Sequence, residues 1–235
     1  QVEIGAVQGL TQSDGSFSLD LGSGPLVSDT LKVRGETFPG PVVYPFIAEK
    51  LPLLLEHDVF LRVNNVISRP IFLPPLDVAG GRQIDPMQDT TVTTAAIPGA
   101  SVFVKAGTLM NQQGTPFTGV LSITEVPTDL TPAALPENLF PDLVVTIQPG
   151  EMVFAQPAPM TLPNRSGWPA GTLMDLWSIN PVTGAFDDVG DARVSGNGQV
   201  IETISGGIRN SSWHFIAPPP LELTEEPSEH PFNKS

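Results

Sequence analysis

The sequence predicts an all-β protein, and three observations carry that prediction. First, 26 prolines and 22 glycines are spread along 235 residues, and punctuation that dense leaves almost no room for a helix of ordinary length. Second, apolar and polar residues alternate over short runs, as in Leu31 and Val33 against Lys32 and Arg34, which is the two-residue period of a half-buried strand. Third, the longest stretch free of both residues, 53–69, repeats that alternation (Leu53/Leu55 and Val59/Leu61/Val63) on either side of Glu56-His57-Asp58. It reads as two strands around a turn, with a short helix as the alternative.

Taken in order, residues 2–21 give strand, turn, strand. In TQSDGSFSLDL the pair Asp14-Gly15 marks a tight turn, after which Phe17, Leu19 and Leu21 alternate inward. DTLKVRGETF supplies the next strand. RPIFLPPLD (69–77) carries three prolines that forbid a central ladder position, so it is expected as an edge segment or connector. DVAGGR (77–82) has the small, flexible composition of a domain boundary.

TTVTTAAIPGASVFVKAGTLM is Thr- and Val-rich strand chemistry. NQQGTPFTG is expected to turn the chain back into VLSITEV, with Val120, Leu121 and Ile123 available to the core. Residues 127–142 hold four prolines and form a long connection with one helical turn at Pro132–Leu135. LVVTIQPGEMVF and QPAPMTLPN then give two more strands. The firmest signal is 173–205, where NPVTG and SGNG supply the Gly and Asn that tight turns require. Leu176, Phe186, Val189, Val194, Val200 and Ile204 are the expected core face of this antiparallel meander. The chain ends in a Pro-rich, acidic segment, 218–235, expected as a tail or linker, in which LELT (221–224) has the composition of one short strand.

Bulk chemistry narrows the function. Lys and Arg number 11 against 25 Asp and Glu, a formal charge of −14. Phosphate backbones need clustered cations, so nucleic acid and anionic membranes are poor partners. No apolar run reaches the ~18–20 residues that span a bilayer. The absence of cysteine removes disulfides, zinc-thiolate sites and cysteine nucleophiles. The chain opens at Gln1 rather than Met, which points to a removed leader or to preceding protein. Asn164, Asn210 and Asn233 lie in glycosylation sequons that matter only in a host that uses them.

Two resemblances emerge from these motifs. TQSDGSFSLDL resembles the hairpin of carboxypeptidase-regulatory-type (transthyretin-like) domains and covers 1–77. In those domains one further strand normally precedes this point, and Gln1 leaves little room for it. IPGASVFVKAGTL, GTPFTGVLSITEV, LVVTIQPGEMVFAQPAPMTLPN and LWSINPVTGAFDDVG follow one another as in the β-sandwich named for zonula occludens and Unc-five, a resemblance covering about 85–217. The pairing is similar to repeat units of bacterial exported surface proteins. It implies two tandem antiparallel β-sandwich domains, Ig-like or transthyretin-like, at 1–77 and 78–217, with the tail at 218–235. It also implies an extracellular or cell-surface location.

Candidate chemistry is sparse. Self-cleaving relatives of the second module cut after His-Phe when a Ser or Thr follows. Here His214-Phe215 is followed by Ile216, Ser211 and Ser212 lie on the wrong side, and Trp213 and Phe215 read as core. No G-x-S-x-G elbow occurs, and His57, His214 and His230 are too scattered for zinc. Asp187, Asp188 and Asp191 are the best candidate ligands for calcium, the one candidate cofactor, although the D-x-D-x-D-G loop is missing and a solvated turn is the competing account. Asp14 and Asp85 suit turns. Trp168, after NRSG, is a candidate sugar or protein contact if exposed.

The expectation is therefore a non-enzymatic structural or adhesive module, with itself or neighbouring domains of the same chain as partner. Assembly through strand edges is the favoured mechanism: the donor strand is either residues preceding Gln1 in a longer chain or a neighbouring copy's terminus, with Val2, Ile4 and Val7, or Leu221 and Leu223, giving a head-to-tail filament. A loop-mediated binding module using NRSGWPAG and FDDVGD is the alternative.

Overall fold

In a computed structural model, residues 1–22, 28–51, 66–67, 69–132, 135–136 and 139–219 are described. The two strands expected within 53–69, His57, and the tail residues Leu221, Leu223, His230 and Asn233 lie outside the described residues. So does part of the turn expected at Pro132–Leu135.

The described chain is all-β. Its regular elements are antiparallel strands, accompanied by two single turns of 3-10 helix at Gly35–Thr37 and Thr128–Leu130. The first four strands, β1 (Val2–Ile4), β2 (Val7–Gly9), β3 (Thr30–Arg34) and β4 (Phe46–Lys50), form a sheet ordered β2-β1-β3-β4. The segment after the Asp14-Gly15 turn departs from expectation. Phe17, Leu19 and Leu21 do pack on the core, but they join no ladder. Their alternation reports one-sided burial, which an extended segment lying on a core satisfies without strand partners.

The remaining strands are β5 (Arg82–Ile84), β6 (Thr90–Thr93), β7 (Ser101–Val104), β8 (Leu109–Met110), β9 (Gly119–Val126), β10 (Val144–Gln148), β11 (Val153–Ala158), β12 (Met160–Pro163), β13 (Leu173–Ile179), β14 (Phe186–Val194), β15 (Val200–Thr203), β16 (Ile208–Asn210) and β17 (Trp213–Ala217). Ten of them form one sheet, β5-β9-β10-β17-β13-β14-β15-β12-β7-β6, and β16-β11-β8 form a small third sheet. The large sheet curls until its end strands β5 and β6 lie beside one another, so it is a nearly closed barrel. Each of its ten strands sends apolar side chains into the larger core, from Ile84 and Val92 at the two ends to Val145, Leu176 and Ile216 in the middle.

The second core explains a feature that alternation could not. β10 and β17 are buried at every position, because the β1–β4 sheet covers their outer face. Val2, Leu31, Val33 and Ile47 from that sheet meet Val144, Trp213 and Phe215 from the barrel. Strands covered on both faces read as continuous apolar runs rather than alternating ones.

The meander is as the turns predict: β13 pairs with β14, and β14 with β15. Its inward face is shifted at β15, where Ile201 is buried, while Ile204, just past the strand's end, is 44% exposed. Val194 pairs with Ile201, so the hairpin register sends the odd-numbered position inward and Val200 only partly. Val120 is likewise turned outward, while Leu121 and Ile123 are buried. NQQGTPFTG does not return β8 onto β9 as expected. β8 pairs with β11, and β9 leaves for the barrel between β5 and β10.

Candidate functional site

The seam between the β1–β4 sheet and the barrel is where polar chemistry concentrates. Lys32 and Arg34 alternate on β3 with the buried Leu31 and Val33, so both turn toward a common face. There Glu151 waits: Lys32 Nζ donates to its Oε1 at 2.7 Å and an Arg34 Nη1 donates to its Oε2 at 2.9 Å. Arg34 Nη2 also reaches Glu3 at 2.8 Å, and Nη1 reaches Glu36 at 3.4 Å. Both cations lie over the Phe46 ring, 5.6 and 5.3 Å from its centre, where the negative ring face adds attraction.

Burial alone would raise the Glu151 carboxyl, but hydrogen bonds and charge from Lys32 and Arg34 outweigh it and hold its pKa below the ordinary value. Burial likewise works against the Arg34 charge, and its bonds to Glu3 and Glu151 reverse that and raise its pKa. Glu151 has φ of 62°, a left-handed conformation that a residue with a Cβ adopts at a cost. The Glu151 N–H donates to Ser211 O, so backbone and side chain are both fixed.

Beside this network opens a cleft of about 510 Å³. It is lined by Val43 and Tyr44 of the loop before β4 and by Val78, Phe117 and Val120. Its buried lining, or floor, includes Gln148 and Glu151 with the half-buried Arg34, and its exposed lining, or rim, includes Gln112 and Gln113. Val43, Val78 and Val120 are about two-fifths exposed. Phe38, itself exposed, packs edge-on against Tyr44 with ring centres 5.5 Å apart.

The candidate assembly residues are placed differently from one another. Val2 and Ile4 are buried in β1, an interior strand paired with β2 on one side and β3 on the other. Val7 lies on the edge strand β2, opposite Ile4.

The three aspartates proposed for calcium serve separate local bonds. Asp187 accepts from Asn180 Nδ2, Asp188 accepts from the Gly190 N–H, and Asp191 accepts from the Ser205 hydroxyl. A bulge in β14 nevertheless sets Asp188 and Asp191 on the face of Asp175; burial and then those two charges raise the Asp175 pKa. Among the described residues no three acidic or histidine side chains are grouped as metal ligands.

Other singled-out residues take structural posts. Asp14 accepts from Ser16 N–H and Oγ, and Asp85 from the Met87 N–H, as turn residues do. Trp168 is 38% exposed, in a loop tied by Asn164, whose amide donates to Trp168 O and Gly198 O. Trp213, His214 and Phe215 are buried in β17. His214 accepts from the Ser212 N–H at 3.3 Å through Nε2, and its Nδ1 has no partner. Burial pushes its pKa down to about 3. Ser211 Oγ and Ser212 Oγ donate to the backbone carbonyls of Pro149 and Ile179.

Glu151, Gln148 and the cleft were not legible in the sequence. LVVTIQPGEMVF is expected as one strand, but the structure divides it into β10 and β11 around a turn at 149–152, and nothing local says that the Glu151 carboxylate there meets cations more than a hundred residues upstream. Among the described residues no helix is long and apolar enough to cross a membrane. Compared with known protein families, curated proteins and solved structures, the chain has no significant match.

Proposed function

We propose that this chain is a non-enzymatic structural module of an extracellular or cell-surface protein, a spacer whose two sheets bear load as one body. The observation that supports this most is the seam: an apolar core shared by both sheets, reinforced by Glu151 between Lys32 and Arg34. A chain organised in this way resists shearing of one sheet past the other, because sliding would strand a buried carboxylate without its cations. The side chains with the greatest chemical capacity are spent as internal fasteners, His214, Ser211 and Ser212 among them. The resemblance of TQSDGSFSLDL and of the later motifs to exported surface repeats supports the location.

Of the two assembly routes, the in-chain one is favoured. Lending Val2–Ile4 to a neighbour would break its ladders with both β2 and β3. The test is force spectroscopy on a polyprotein in which this chain alternates with a marker domain. One unfolding event per copy, releasing both sheets together, is the expected result. Two separate events of unequal length would overturn the single-body reading, and ordered filaments of the purified chain in the electron microscope would favour strand exchange instead.

A further inference from the structure

The seam cleft has the size and lining of a ligand site, and its polar groups say what kind of ligand. A volume of about 510 Å³ falls within the roughly 300–1,000 Å³ typical of small-molecule sites. Its lining is predominantly apolar, and Val43, Val78 and Val120 are left partly exposed there.

The floor is polar yet already satisfied. Gln148 Oε1 accepts from the Phe46 N–H, while its Nε2 donates to Phe46 O and Thr146 Oγ1. Arg34 is engaged by Glu3, Glu36 and Glu151, and Glu151 by Lys32 and Arg34. A ligand group reaching the floor therefore finds these groups committed to one another, and a polar group there would lose its water without an equivalent replacement. Hydrogen-bonding capacity is offered at the rim, by the exposed Gln112 and Gln113 amides. Charge selects further. Glu36 borders the opening and the whole chain carries −14, which repels an anionic head group.

We infer that the seam cleft binds a neutral, largely apolar small molecule, its hydrocarbon body between Tyr44, Phe117 and Val120 and any uncharged polar head toward Gln112 and Gln113. This goes beyond a spacer role and does not depend on it, since the cleft lies beside the seam rather than replacing it.

The experiment is a fluorescence titration of the full 235-residue chain with N-phenyl-1-naphthylamine, a neutral apolar probe that brightens when it leaves water. Three variants accompany it: Val120→Asp charges one wall, Val78→Trp fills the cleft, and Val182→Asp places the same charge on a distant turn where Val182 is 75% exposed. Circular dichroism and urea melting establish that each is folded. Saturable one-to-one binding, weakened about tenfold or more by Val120→Asp and Val78→Trp and unchanged in Val182→Asp, is the expected result; losing one buried Val-sized contact is enough for that factor. Absence of saturable binding, or equal binding by all variants, overturns the site. Displacement of the probe by decanoate but not by decanol overturns the neutral-ligand assignment.

Discussion

Gln148 and Phe46 hold one another as neighbouring strands would. The Phe46 N–H donates to Gln148 Oε1 and Phe46 O accepts from Gln148 Nε2, both at 3.2 Å. A side-chain amide from the barrel thus completes the outer edge of β4, in a place where both residues are 3% exposed. Edge strands that are buried must have their backbone groups answered, and here one glutamine answers a donor and an acceptor at once.

Replacing that glutamine should therefore cost more than its size suggests. Gln148→Leu leaves a buried N–H and the better part of a buried carbonyl unpaired, and the expected loss is about 2–4 kcal/mol. Gln148→Glu keeps an acceptor for the N–H but sets a carboxylate oxygen against Phe46 O, so it should be no better at neutral pH. Urea unfolding of the two variants beside the unaltered chain measures this. Stabilities within 0.5 kcal/mol of the parent, on the scale of a ~1 kcal/mol net hydrogen bond, would show that the edge is answered some other way.

Glu151 carries the seam electrostatically. Glu151→Gln removes the charge between Lys32 and Arg34 while leaving the shape, and is expected to destabilise by about 1–2 kcal/mol, because both cations are partly exposed and Arg34 keeps its pair with Glu3. The folded-state pKa lies below the ordinary one, so the contribution is full above the unfolded value and is lost as pH falls through the folded one. The variant should accordingly lose part of the acid sensitivity of the parent. Glu151→Gly relieves the left-handed φ and should still destabilise, because the ion pairs outweigh the strain. A glycine variant as stable as the parent would reverse that ranking.

His214 gives a second, separable pH dependence. Its folded-state value of about 3 lies below the ordinary imidazole value of ~6.5, so the unfolded chain takes up a proton first. Stability is full above the unfolded value and declines by about 1.4 kcal/mol per pH unit as pH falls toward the folded one. His214→Met, which fills similar space without titrating, should flatten the stability profile between about pH 6 and 4. Chemical denaturation at half-unit pH intervals resolves the slope. An unchanged slope would mean that the imidazole protonates in the folded core.

The turn between β13 and β14 is fixed by one glycine. Gly184 has φ of 67°, and its carbonyl accepts from the Lys50 N–H at 3.2 Å. A Cβ placed there would lie 2.3 Å from Lys50 N and 2.6 Å from the Glu49 carbonyl carbon, both backbone atoms that cannot step aside. Gly184→Ala should destabilise by roughly 2 kcal/mol or more, combining the left-handed cost with the clash. Amide exchange at Lys50 should quicken in the same variant. If exchange there is unchanged, the turn does not brace β4.

The all-β class and the meander were legible because their causes are local. Proline and glycine spacing excludes helices whatever the rest of the chain does, and NPVTG and SGNG close hairpins by their own turn geometry. Parity within a strand was less secure. Val120 and Ile204 belong to apolar runs that alternation alone cannot orient, and the pairing of β9 with β5 and of β15 with β14 turned them outward. The segment holding Phe17, Leu19 and Leu21 shows the converse: its period was right, yet a period records which side is covered and not whether a ladder forms.

By itself, then, the sequence determined the class of structure, the hairpin turns of the meander, most of the inward-facing residues, and a net charge of −14. Tertiary structure alone decided that β10 and β17 are covered on both faces, that Glu151 meets Lys32 and Arg34, that Gln148 answers Phe46, and that a cleft opens beside them. The physical reason is sequence distance. Those partners lie more than a hundred residues apart, and what brings them together is the stacking of one sheet on another, a preference that no short window of residues expresses.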